Sequence, residues 1–465
     1  MSIEDHLYPL LRYYERAPSA VRAPLGALYR TLPAHWRYGR RYNEFQSLAR
    51  ALTDATPDDI AQWQLRQIQT TLQAAQTCSF YQRHFAAAGV DPAAVRSLAD
   101  FKTCPLLTKR DLQQSRDAMI TAGSPPRNRL YVTTGGSTGE PVGFYLQRGV
   151  SRPKEQAFIE ALWQRAGYRP GARVAVLRGH VTSPTAGGRI HYRDTARNWL
   201  ILSSAHLTED RLPEYLEALD QYQPDFLHIY PSAALQLAAY LHRTRQTWRQ
   251  PLQALLCGSE QLTLGQKQLL ADTFHCRVLR WYGHSERVVL AGEGAESPLL
   301  YFFPTYGYVE FGEPDSDGLC EIIGTSFHNH VMPLIRYRTG DYARPAPDAA
   351  AREWPWPAVE AIVGRAQEFL VSAGGRRISL TAFNMHDAVF DGLYAVQFVQ
   401  TEPGRARFCY VPGPGFDPAR LALIEKRIRE KLGDDFTVEL TAVRHVQKTA
   451  RGKHRWLVNE GENKP

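Results

Sequence analysis

The stretch YVTTGGSTGEPVGF, Tyr131 to Phe144, leaves two chemistries open for its central serine. Gly135-Gly136-Ser137-Thr138-Gly139 satisfies the G-x-S-x-G pattern of a hydrolase nucleophile elbow. The same stretch sets the hydroxyls of Thr133, Thr134, Ser137 and Thr138 among glycines. A tight turn at Gly135, Gly136 and Gly139 frees backbone N–H groups, and with those hydroxyls it forms an anion cradle. No lysine lies in the stretch, so it is not the Walker loop G-x-x-x-x-G-K-[ST]. An elbow also needs a helix directly after its serine. Here Glu140-Pro141-Val142-Gly143 leads into the β-prone VGFYL, which predicts a hairpin instead. A plain Ser/Gly turn is the third reading.

Outward from this loop, short β-rich runs alternate with amphipathic segments. RLYVTT, ARVAVLRG, DFLHIYPS, LQALLCGSE and CRVLRWYG read as strands, each ending near Gly, Pro or Ser. PKEQAFIEALWQRAG and SAALQLAAYLHRTR read as helices between them, a pattern of α/β layers with mainly parallel strands. Residues 1–115 read as mainly helical, with Asp58 and Asp59 near one helix start. From about residue 306, YGYVEFGEPDSDGLCEIIGTSF and PLIRYRTGDYARP look antiparallel, with turn residues at EPDSDG. After Gly364 a smaller unit is expected: strand RRISL, helix TAFNMHDAVF, strands AVQFVQ and ARFCYV, a helix in DPARLALIEKRIREKLG capped by Asp417, and strand FTVELTAV. The predicted fold class is α/β: a large multi-layer domain with mixed sheets over residues 1–364, and a small α+β domain over 365–465.

At 465 residues the chain is long enough for two or three domains with sizeable cores. No apolar run approaches the roughly 18 to 20 residues that span a bilayer, so no transmembrane segment is expected. Glu4 and Asp5 stand where a secretory leader would be basic, which points to a cytoplasmic protein. The six cysteines are scattered without a C-x-x-C pair, which fits reduced thiols in a cytosolic protein better than a disulfide framework and gives no zinc-site spacing. A net charge of +8, with arginines crowded into the first fifty residues, suits a nucleic-acid or anionic membrane face, a solvated face, or contacts to an anionic substrate. No nucleic-acid motif accompanies it, and no nucleic-acid partner is expected.

Four further stretches carry chemistry. In RWYGHSERV, Arg280 to Val288, Glu286 offers a hard oxygen for Mg²⁺ and Tyr282 a ring for a base, with a surface ion pair of His284 and Glu286 as the alternative. In IRYRTGDYARP, Asp341 after Thr339-Gly340 can accept two ribose hydroxyls or fix its own turn. VGRAQEFLVSAGGRRISL places Gly364-Arg365 at the expected domain boundary, and QKTARGKHRW sets Lys453 after a glycine in a basic loop.

Taken in order, these stretches resemble the landmarks of the adenylate-forming superfamily of acyl-CoA ligases and adenylation domains, over roughly residues 100–455. TTGGSTGEP resembles its phosphate loop, and Tyr282, Gly283, Ser285 and Glu286 its Y-G-x-[TS]-E segment. Tyr337 to Asp341 is similar to its Y-R-T-G-D, Gly364-Arg365 to its hinge, and Lys453 to its late catalytic lysine. IYPSAALQLAAYL and LLCGSEQLT look like segments of the phenylacetate–CoA ligase branch. LPAHWRYGRRYNEF and YGYVEF are similar to its capsule-associated relatives. Val142, Glu368, Gln447 and Arg451 depart from the common lysine, hinge residue, proline and serine.

The resemblance implies an ATP-dependent ligase that uses Mg²⁺ and makes an acyl-adenylate of an aryl acid. Its active site would lie in the cleft between a large domain and a small one that rotates between half-reactions. It assigns Thr134, Ser137, Thr138 and Gly139 to phosphates, Glu286 to the metal and Ser285 to the α-phosphate. Gly258, Ser259, Glu260, Tyr282 and Gly283 would border adenine, Asp341 the ribose, and Arg365 the ribose or phosphates. Lys453 would bridge carboxylate and α-phosphate. Phe144, Tyr230 and Tyr282 would line an aromatic pocket with His180, His228 and His284 near it, each histidine having a structural role as its alternative. Coenzyme A is the default acceptor; an amine, a sugar amine or a carrier-protein thiol would use the same first half-reaction, and a dimer is compatible with it. Two rival classes are a serine hydrolase using Ser137, with HNH at 328–330 as a poor partner, and a non-enzymatic nucleotide-binding protein.

Overall fold

A computed structural model of the chain describes residues 19–133, 142–179, 190–204, 206–315, 317–347, 350, 352–365, 369–380, 388–414, 416–449 and 452–460. The chain divides into one unit of residues 1–170, 195–197 and 281–360 and another of residues 171–194, 198–280 and 361–465. Both mix helices with sheets, and the α/β class expected from the sequence is the one observed.

The first unit begins with helices. Pro57–Ala75 starts where the Thr56 hydroxyl accepts the Asp59 N–H at 3.2 Å and Asp59 accepts the Thr56 N–H at 3.1 Å. Such a capping box stabilises a helix start by about 1 kcal/mol. Ile60, Gln64, Ile68 and Leu72 recur on the buried face at helical spacing. The expected hairpin is present: Arg129–Thr133 pairs antiparallel with Gly143–Gln147, Thr133 opposite Gly143. Gly307–Phe311, Cys320–Ser326 and Tyr337–Pro345 follow as antiparallel neighbours, with a register shift between Glu321 and Ile323. The EPDSDG turn is held by Asp315, whose Oδ1 accepts the N–H groups of Asp317 and Leu319 at 2.9 Å each. Leu290–Glu293 runs antiparallel to both Leu300–Phe302 and the end of Arg277–Gly283.

The second unit is built on parallel strands. Val174–Leu177 lies between Trp199–Leu202 and Phe226–Ile229, and Ala254–Gly258 extends the set. All four residues of Val174–Leu177 are buried, as expected of a strand covered on both faces. His191–Asp194 closes the edge antiparallel to Trp199–Leu202. In the C-terminal part, strands run in the order Thr437–Ala442, Arg405–Pro412, Leu393–Glu402, Leu457–Asn459. Helix Arg420–Leu432 buries Ile424, Ile428 and Leu432 beside Phe398 and Phe408. Tyr394 and Val411 join the core of Leu255 and Leu270, and Gln266 donates to the Tyr394 carbonyl at 3.2 Å.

Three expectations need amendment. Ala419, not Asp417, is the N-cap of Arg420–Leu432; Asp417 accepts the Ala419 N–H at 2.9 Å and so fixes the turn before it. Of the predicted helix over 381–390, residues 381–387 lie outside the described residues, and Ala388–Phe390 is a single 3₁₀ turn. The short strands His191–Asp194, Trp199–Leu202, Leu290–Glu293 and Leu300–Phe302 were not expected.

Candidate active site

Residues of the proposed chemistry cluster in each unit. In the first, the strand Arg277–Gly283 ends on Tyr282 and Gly283, and a turn then carries His284, Ser285 and Glu286. Alternation along Tyr337–Pro345 turns Tyr337 and Asp341 inward and Arg338 out to Glu321. Each inward carboxylate meets a tyrosine. The Tyr282 hydroxyl donates to Asp341 Oδ2 at 2.8 Å, and the Tyr337 hydroxyl donates to Glu286 Oε1 at 2.9 Å. The local turn is held by Thr339 instead: its Oγ1 donates to the Ile322 carbonyl at 2.7 Å and accepts the Asp341 N–H at 3.1 Å.

The electrostatics follow from this packing. Burial, then the Asp341 carboxylate, pushes the Tyr282 phenol well above its ordinary range, so it remains a donor. Burial also opposes the charge on Glu286. The His284 imidazole, the backbone N–H and the Tyr337 hydroxyl outweigh it and hold the carboxyl at about 2. His284 Nδ1 lies 3.5 Å from Glu286 Oε2, an ion-pair distance rather than a hydrogen bond. The pair is buried, with side chains 6% and 10% exposed, so it is not the surface ion pair that was the alternative. Both His284 ring nitrogens are buried without a hydrogen-bond partner among the described residues.

In the second unit, Arg178, Tyr230 and Gly258-Ser259-Glu260 sit at or just past the carboxyl ends of parallel strands, where open α/β sheets bind ligands. Ser259 adopts a left-handed φ of 70°, unusual for a residue with a side chain. The Arg178 guanidinium bonds to Ser259 Oγ and His228 Nε2, and lies 5.3 Å from the Tyr230 ring centroid. Glu260 is held by main chain: Oε2 accepts the Ser232 N–H at 2.9 Å and Oε1 accepts the His454 N–H at 2.7 Å.

That last bond brings in the C-terminal loop. Lys448 and His454 form an antiparallel bridge, Thr449 N–H donates to the Lys453 carbonyl at 2.8 Å, and Lys453 N–H donates to Thr449 Oγ1 at 3.0 Å. Gly452, at φ 77°, lies so close to the Ser204 carbonyl that any Cβ there would collide with it. Lys453 Nζ stands 5.7 Å from the Tyr230 ring centroid, and Lys448 Nζ bonds to Gln236 Oε1. Burial pulls Lys448 down to about 8, with the Glu260 charge opposing it.

The structure therefore brings together Tyr282, Asp341, Glu286 and His284, and separately Tyr230, Ser259, Glu260 and Lys453. Ser285 is exposed and Arg365 ends the strand Ala358–Arg365. Phe144 has no exposed surface, so it supplies core packing here and lines no open pocket. Thr134, Ser137, Thr138, Gly139 and His180 lie outside the described residues. Sequence reasoning missed Arg178, whose signal is its place after ARVAVL at a strand end, and the Tyr337 partnership with Glu286. For magnesium, no group of three or more metal-binding side chains occurs among the described residues. One ionised carboxylate still fits, because Mg²⁺ is commonly held by one or two carboxylates plus substrate phosphates.

Residues 370–460 match the family model of the CapK C-terminal domain. Protein CapK of Staphylococcus aureus is 24% identical over 372 residues, covering 78% of this chain and 81% of that protein. Phenylacetate-coenzyme A ligase of Pseudomonas putida is 26% identical over 352 residues, covering 71% and 77%. The fold is similar to 2-hydroxyisobutyryl-CoA ligase in the postadenylation state, with a TM-score of 0.66 and 18% identity over 93% of this chain and 95% of that one. In the thioesterification state the same ligase gives a TM-score of 0.55 at 20% identity, over 93% and 94%. The chain is thus similar in sequence to CapK and to the phenylacetate-coenzyme A ligases, and similar in fold to an acyl-CoA ligase.

Proposed function

We propose that the protein is an AMP-forming acid–thiol ligase, which activates a carboxylic acid with ATP and passes the acyl group to coenzyme A. The observation that carries this reading is the pair of tyrosine-held carboxylates, Asp341 with Tyr282 and Glu286 with Tyr337. The phenylacetate-coenzyme A ligase relatives support it. The flanks of the Ser137 loop count against the hydrolase reading: a strand, Gly143–Gln147, stands where an elbow needs a helix.

A carboxylate is a poor acyl donor because its oxygen is a bad leaving group. In the first step a carboxylate oxygen of the substrate attacks the α-phosphorus of ATP, and the bond to pyrophosphate breaks. In the second, the coenzyme A sulfur attacks the acyl carbon, its proton is lost, and AMP leaves. The protein's task is to position these groups and neutralise charge. Thr134, Ser137, Thr138 and Gly139 hold the β- and γ-phosphates, and Ser285 the α-phosphate. Glu286, ionised at neutral pH, would hold Mg²⁺, which would supply positive charge against the triphosphate. Asp341 takes the ribose hydroxyls, and Gly258, Ser259, Glu260, Tyr282 and Gly283 border adenine. Lys453 bridges the attacking carboxylate and the α-phosphate, with Arg365 nearby on the nucleotide. Residues 365–465 carry Lys453 out of place for the second step.

The acid is an aryl acid; the relatives' substrate and the Tyr230 and His284 rings support this. Pyrophosphate release across aryl, aliphatic and amino acids, with and without coenzyme A, tests the reading. Aryl-acid-dependent release and a coenzyme A thioester are expected. Release with no acid dependence in any case would sink it. Lys453→Ala should slow adenylation about 10³-fold yet still convert a supplied acyl-adenylate to thioester.

A further inference from the structure

The helix Ser19–Thr31 leaves Val21, Leu25 and Leu28 exposed by 47%, 53% and 66%. Their spacing of four and three puts them on one stripe. The helix is seated by its other side: Gly26 is buried, and a Cβ there would collide with Thr195 Oγ1. Trp36, on the following helix Ala34–Tyr38, is 54% exposed. Four of the seven large hydrophobic side chains exposed among the described residues thus fall between positions 21 and 36.

The same segment is basic. Residues 19–50 hold Arg22, Arg30, Arg37, Arg40, Arg41 and Arg50 against a single acid, Glu44, which Arg41 pairs at 2.7 Å. We infer that this face docks the protein on an anionic lipid membrane. A surface-bound helix needs an apolar stripe to enter the acyl boundary and cations to meet the headgroups; an indole suits the interface between them. This segment supplies all three. A nucleic acid would pair with the arginines but offers nothing to the Val21, Leu25 and Leu28 stripe. No helix among the described residues is long and apolar enough to cross a membrane, so the segment would lie on the surface. Docking of this kind is reversible, since it rests on a small apolar area and on charges that salt screens. The inference is independent of the chemistry proposed above.

Flotation of the full-length protein with phosphatidylcholine vesicles, with and without about 30% phosphatidylglycerol, tests it. The wild type should float with anionic vesicles about tenfold better than with neutral ones, and come off in about 0.5 M salt. Leu25→Glu/Leu28→Glu should abolish flotation with an unchanged melting curve; the milder Leu28→Gln should weaken it severalfold. Three results would overturn the inference: no preference for anionic vesicles, flotation unaffected by both variants, or tighter binding to duplex DNA that the leucine changes leave intact. Self-association of the wild type that Leu25→Glu/Leu28→Glu relieves would also overturn it, by showing that a second copy covers the face.

Discussion

Glu286 and Glu260 are both glutamates just past the end of a strand, and they are held in opposite ways. Glu286 is buried and held by side chains: the Tyr337 hydroxyl at 2.9 Å and the His284 ring at 3.5 Å. Glu260 is held by main chain, through N–H groups of Ser232 and His454 that lie far apart in sequence. The Glu286 carboxylate is held locally, by a phenol, an imidazole and its own backbone N–H. A carboxylate clamped between two backbone segments is a fastener. The difference supports the proposed chemical role of Glu286 and gives Glu260 a structural one, since it ties Ser232 to the Lys453 loop through the His454 N–H.

The largest expected effect separates them directly. Glu286→Gln should lower pyrophosphate release about 10²- to 10³-fold, because it removes a charge used on the phosphates. Glu260→Gln should cost about tenfold in the same assay, since an amide cannot accept both N–H groups, and should leave conversion of supplied acyl-adenylate intact. Equal losses in both variants, in both assays, would erase the distinction.

Acid stability gives a second test. The Glu286 carboxyl is lower in the folded protein, about 2, than its ordinary 4.5. Its contribution is therefore complete above pH 4.5 and lost as pH falls toward 2. The wild type should lose about 3 kcal/mol across that window relative to Glu286→Gln, measured by urea unfolding. Parallel curves would show that the carboxyl is not held down. Smaller still, Tyr337→Phe should raise the pH at which activity fails on the acid side and slow adenylation severalfold. Tyr282→Phe should raise the KM for ATP severalfold and leave kcat near wild type.

Much of this was legible in the sequence because it is local. The hairpin after Ser137 shows in Pro141 and Gly143, and the buried face of Pro57–Ala75 in its spacing. What escaped is what long-range folding decides. Tyr337 and Glu286 are 51 positions apart, and neither carries a mark of the other. The strand HYRD, 191–194, reads as polar because it is an edge strand whose partner lies on one side. Asp417 looked like a cap because Asp caps helices; two further residues of turn precede the helix here. Nothing beside Arg178 in the sequence marks Ser259, His228 and Tyr230, which folding brings around it.

The bridge between Lys448 and His454 has a consequence for energetics of motion. Lys448 is buried beside Gln236 and titrates at about 8, against 10.5 for a lysine in water. Lifting the Lys453 loop into solvent would therefore take up a proton across that range of pH. Docking then strengthens as pH rises from about 8 to 10.5. The movement proposed for residues 365–465 would then double as a proton-linked step, with alkalinity favouring the loop position seen here.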